Sequence, residues 1–133
     1  MKLKPLTYVV LPLILGYILY QLRPLGNGWI DNLSIRGKES TVPLDLPDWL
    51  IYNMVDGLWA FALTSLVLII WKNNASKSKW LWLFVTFLLV ISVELLQKFE
   101  IMEGTFDWLD LVFNLVGYFI SLLIFTNNEK IRA

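Results

Sequence analysis

Neither cysteine nor histidine occurs in this chain. The missing thiols exclude disulfides, cysteine nucleophiles and zinc–thiolate sites together, and say nothing of compartment. Without imidazole a transition-metal catalytic centre loses its usual ligand, so neither a metal nor a cofactor is expected. Charge is also sparse. Only 17% of residues are Asp, Glu, Lys or Arg, against about 25% in ordinary soluble domains. The eleven basic and eleven acidic side chains cancel, which removes the electrostatic basis for nucleic-acid binding. Proline and glycine are scarce except in one place: three of five prolines and three of seven glycines fall within residues 23–47.

What the chain has instead is apolar side chains in long runs. Hydrophobic residues make up 57% of its 133 positions and aromatic residues 15%, and the mean hydropathy is +0.62. A soluble domain of this length sits nearer 45–50% apolar. Four runs stand out, about 6–22, 49–71, 80–98 and 108–126. Each is long enough for a transmembrane helix, and runs such as Leu81 to Val93 lack the polar face a soluble bundle requires. The expected fold is therefore an all-α membrane protein with four transmembrane helices in a single domain, residues 1–133. Lys2 and Lys4 before the first run also fit a signal peptide, but no small-residue cleavage site follows, so a retained helix bent at Pro12 is expected. Trp49 and Trp71 bracket the second run 22 residues apart, about 33 Å of helix, which suits anchoring at two interfaces.

Orientation follows from the basic residues. Lys2, Lys4, Lys72, Lys77, Lys79, Lys130 and Arg132 lie on one side, and Arg23, Arg36, Lys38 and Lys98 on the other. The positive-inside rule then puts both termini in the cytoplasm, with residues 23–48 as an extracytoplasmic loop. Of the eleven acids only Glu129 falls on the inner side.

The stretch from Ser92 to Gly117, SVELLQKFEIMEGTFDWLDLVFNLVG, sets Glu94, Gln97, Asp107, Asp110 and Asn114 at the lips of two apolar runs. Counting about 1.5 Å per residue puts Asp56, Glu94 and Asn114 near one level, about 9–10 Å below the outer interface, with Gln97 and Asp110 one turn higher. Asp107, Asp110, Asn114 and Gly117 form one stripe on their helix. Facing lipid, each acid would cost a few kcal/mol, so the cluster is expected to turn inward around a funnel. Its chemistry is limited to proton sharing, hard-cation binding or hydrogen bonding to a polar head group. Gly117 would let a neighbouring helix approach closely. Each residue also has a plainer reading. Gln97 and Asn114 serve equally well as interhelical fasteners, Asp107 as the N-cap before Trp108, and Trp59 as packing.

The order Glu94-x-x-Gln97, a turn, then Thr105-x-Asp107-x-x-Asp110-x-x-x-Asn114-x-x-Gly117 resembles the VanZ-like superfamily of small membrane proteins. Asp56-Gly57-Leu58-Trp59 stands where the family often carries D-K-x-x-H, and is similar to a branch with D-x-L-W. Gly104 stands where the family commonly has Arg. The resemblance covers about Tyr52 to Ser121. It implies an outward-facing polar pocket formed by Asp56, Trp59, Glu94, Gln97, Asp110 and Asn114, and a role of the antibiotic-tolerance type, as for lipoglycopeptides such as teicoplanin. It implies no reaction. Three functions follow as expectations: binding or handling of an envelope lipid or amphiphile; a small accessory subunit of a larger membrane complex or a homo-oligomer; or an intramembrane enzyme with Asp56 and Glu94 as acid and base. Membrane lipids are the expected partners.

Overall fold

The computed structural model describes residues 5–22, 47–72 and 76–130, without the side chains of the last four. The expected loop at 23–48 lies almost wholly outside the described residues. Every regular element among them is helical: α1 (Thr7–Gln21), α2 (Asp48–Ile51), α3 (Asn53–Ile70), α4 (Lys77–Lys98) and α5 (Trp108–Lys130). Three helical stretches, Asp48–Ile70, Lys77–Lys98 and Trp108–Thr126, are long and apolar enough to cross a membrane. Helix α1 is apolar too, but its 15 residues cover about 22 Å, short of the ~30 Å hydrocarbon core. It closes at Leu22, whose backbone N–H donates to the Leu19 carbonyl at 3.0 Å. The second run differs from the uninterrupted 49–71 rod expected. It is broken into α2 and α3 at Tyr52, although φ −96° and ψ −63° keep that residue near helical geometry.

Burial is inverted relative to a protein dissolved in water. The residues with no exposure at all are Thr64, Ser65 and Ser121, whereas Ile70, Phe84 and Leu123 are each more than half exposed. Water would not tolerate so much contiguous apolar surface, but lipid does, and in lipid the close helix contacts fall to small residues. Two of the hydroxyls buried in this setting are satisfied within their own helix. Thr64 Oγ1 donates to the Ala60 carbonyl at 2.8 Å and Thr86 Oγ1 to Trp82 at 2.8 Å.

Helix α3 is the centre of the bundle. Helix α5 lies against it in the parallel sense, and Ser65 and Ser121 share a hydrogen bond of 2.8 Å between their hydroxyls. Two glycines allow this approach. A Cβ on Gly57 would stand 2.9 Å from the Phe113 carbonyl oxygen; one on Gly117 would overlap the Gly57 carbonyl oxygen and lie 3.1 Å from the Phe61 nitrogen. Helix α1 crosses the other flank of α3 in the antiparallel sense, bringing Gly16 against the Trp59 indole. Helix α4 runs antiparallel to both α3 and α5. Tyr118 ties it to α5 by donating its hydroxyl to the Leu83 carbonyl at 3.0 Å. Near that end Leu68, Leu83 and Phe125 form a small buried core. Helices α1 and α4 make at most marginal contact with each other, and a space is left between them.

Candidate functional site

The turn between α4 and α5 sets the site, and local chemistry accounts for its shape. Helix α4 ends in a paired set of bonds, Glu100 N–H to Gln97 O at 3.0 Å and Ile101 N–H to Leu96 O at 2.9 Å. Glu100 occupies the left-handed region at φ 58° between them, the usual geometry of a Schellman ending. Four residues on, Gly104 adopts φ 134°, a conformation L side chains rarely take, and the Gln97 side chain packs where a Cβ would sit. The turn therefore folds back over Gln97. Asp107 then starts α5. Its Oδ1 accepts the Leu109 N–H at 2.8 Å, an N-cap bond that satisfies one orphan donor of the first turn.

Asn53, which sequence reasoning passed over, holds the acids of α5. It is buried at 4% exposure, and its Nδ2 donates to Asp110 Oδ1 at 2.6 Å and to Asp107 Oδ2 at 3.3 Å. Both hydrogens of one neutral amide thus meet two carboxylates, joining the start of α3 to the start of α5. Glu94 completes the group from α4. Its Oε2 accepts the Asp107 N–H at 3.4 Å, the long limit for such a bond, and the residue is 5% exposed. A signal for Asn53 does exist in the sequence: it lies three residues before Asp56, on the same helical face, inside an otherwise apolar run.

Below this group lies a cavity of about 950 Å³, open on one flank between α1 and α4. Asp56, Trp59, Glu94, Gln97 and Asn114 all line it, and Glu103 joins them from the turn. Asp110, expected in the same lining, does not; its carboxylate is turned toward Asn53. Asn114, the next residue down the α5 stripe, faces the cavity instead. Gly117, below it, is consumed by the contact with α3. The rest of the wall is apolar: Leu13 from α1, Leu63 from α3 and Leu89 from α4 among others, with Ile101 and Met102 from the turn.

Trp59 has two roles in this geometry. One edge packs on Gly16 and its ring lies 6.4 Å from that of Tyr20, while another part of it lines the cavity. Lys98, one residue beyond Gln97, does not enter the cavity. Its Nζ sits 4.8 Å from the Trp108 ring centroid and 5.2 Å from that of Phe106, within cation–π range. Among the described residues the cavity wall therefore contains acids and amides but no base. No group of three or more carboxylates among the described residues is arranged to hold a metal ion. What the arrangement offers is one polar end rich in acceptors and one apolar end.

Compared with protein-family models, curated proteins and solved structures, the chain matches none.

Proposed function

We propose that this chain is a VanZ-like integral protein of a bacterial plasma membrane that binds or handles an amphiphilic molecule of the cell envelope. The observation that carries the reading is the two-ended cavity. Its polar residues, Asp56, Glu94, Gln97 and Asn114, gather at the end where Asp107 caps α5, and its wall turns apolar along the helices. Leu63 is two turns from Asp56, about 10 Å, and Leu89 is five residues from Glu94, about 7.5 Å. A head group at the acidic end would lay its tail along this wall, and the open flank between α1 and α4 would give a bilayer-borne molecule a sideways route in.

In this reading α1 is the fourth span. It lies along α3 with Leu11, Leu15 and Ile18 exposed at 58, 44 and 50%, as a lipid-facing helix would. Both termini are then cytoplasmic and the cavity opens toward the outer leaflet. One further feature favours a second reading as a subunit of a membrane complex: an apolar groove of about 390 Å³ between Phe61, Phe113, Val116 and Ile120, away from the cavity. Co-purification with a larger partner at fixed stoichiometry would decide for that reading.

Native mass spectrometry of protein extracted in mild detergent tests the first. Wild type should carry an amphiphile through purification. Leu63→Trp, which fills the apolar half of the cavity from a position already 38% exposed, should lose it without loss of helix content. A wild-type protein that carries nothing, and responds to no added lipid, would refute the assignment.

A further inference from the structure

We infer that the head group taken by this cavity is a cation of the ammonium class, on an amphiphile whose tail lies against Leu63 and Leu89; this rests on the amphiphile-binding reading above. Glu94 is the reason. It is 95% buried by its 5% exposure, it lines the cavity, and its hydrogen bond, from the Asp107 N–H, is 3.4 Å long. An ionised carboxylate offers about four lone-pair sites. One long bond uses little of that capacity, and the residue lines the cavity. A buried carboxylate in that condition takes up a proton unless it gains a partner of opposite sign or several donors.

The surroundings sharpen the requirement. Two of the nearby donors among the described residues, Asn53 and Lys98, are committed elsewhere. The Asn53 amide donates to Asp107 and Asp110. The Lys98 ammonium rests on Phe106 and Trp108. Asp56 and Glu103 add two more carboxylates to the same wall. A phosphate or carboxylate head would meet like charge there, with no base among the described lining residues to offset it. A sugar head would donate hydrogen bonds but bring no compensating charge. An ammonium brings both: N–H donors for the Glu94 carboxylate, and a cation beside Trp59, which also lines the cavity. Gln97 and Asn114 supply neutral acceptors beside it.

The test is a competition among three lipids with identical acyl chains: one with an ammonium head, one with a phosphoglycerol head and one with a neutral sugar head. Purified full-length protein in a neutral detergent is mixed with all three in equal amounts, and native mass spectrometry counts which adduct survives. The ammonium lipid should be retained about tenfold over the anionic one, a difference of about 1.4 kcal/mol. Glu94→Gln should reduce that preference several-fold, and Glu100→Gln, on the exposed turn outside the cavity, should leave it unchanged. Should Glu94→Gln fail to fold, Gln97→Lys places a competing cation in the wall and should abolish the preference. Equal retention of all three lipids would overturn the head-group inference and leave the amphiphile site standing. Retention of none, with Leu63→Trp indistinguishable from wild type, would overturn both. A preference that survives Glu94→Gln and Gln97→Lys would overturn the assignment to this cavity.

Discussion

A single methyl group added at Gly117 probes the contact on which the bundle closes. In Gly117→Ala the new Cβ would overlap the Gly57 carbonyl oxygen and stand 2.9 Å from the Gly57 carbonyl carbon. These are backbone atoms of a helix and cannot swing aside, so α3 and α5 must part. Inserting a methyl group into a tight contact costs about 1–3 kcal/mol. The same displacement weakens the Ser65–Ser121 bond one turn away, and hydrogen bonds between membrane helices average about 0.6 kcal/mol. Against this, alanine is the better helix former by about 1 kcal/mol. The sum is a net loss of about 1–2 kcal/mol, with the packing term deciding the sign. Reversible unfolding in mixed micelles, followed by circular dichroism, would measure it. Gly16→Ala is the internal comparison, because there the new Cβ meets the Trp59 side chain, 2.5 Å from its Nε1, and an indole can shift. It should cost less than Gly117→Ala. A Gly117→Ala protein as stable as wild type would refute the proposed backbone contact between α3 and α5.

Two further outcomes follow from the same geometry. Asn53→Ala removes a buried amide that serves two carboxylates, and hydrogen bonds to charged groups contribute about 1.5–3 kcal/mol, so unfolding in the same assay should come earlier by about 2 kcal/mol. Because the chain has no native cysteine, single substitutions Asp107→Cys and Ser76→Cys can be labelled cleanly; a membrane-impermeant maleimide added to intact cells should modify the first and spare the second.

The helical class and the three long apolar stretches could be read from hydropathy alone, because lipid imposes one requirement on every residue of a span. The capping bond from Leu109 to Asp107 is equally local, contained in one turn of T-F-D-W. Features that depend on two distant segments were harder. Asn53 is neutral and sits in an apolar run, and its importance appears only when Asp107 and Asp110, more than fifty residues away, are brought to it. The same event redirects Asp110. A stripe drawn on α5 alone points Asp110 and Asn114 one way, but α3 presents Asn53 only at the level of Asp110, so one residue meets Asn53 and the other lines the cavity. The length of α1 escaped for a different reason: an apolar run continues to Leu22, whereas the hydrogen-bonded helix ends at Gln21. Gly104 reads as an ordinary turn glycine until its φ of 134° and the packed Gln97 side chain are known.

The parallel pairing of α3 with α5 also has a bearing on biogenesis. Parallel helices cannot be joined by a tight hairpin, so α3 leaves the ribosome and enters the bilayer a whole helix before its principal partner is made. Until α5 arrives, Asn53 has no carboxylate to hold, and the Gly57 face has no glycine to meet. Helix α4, inserted in between, must therefore wait beside an unfinished floor. The cavity comes into being only once α5 has brought Asn114 to the wall that α3 and α4 supply.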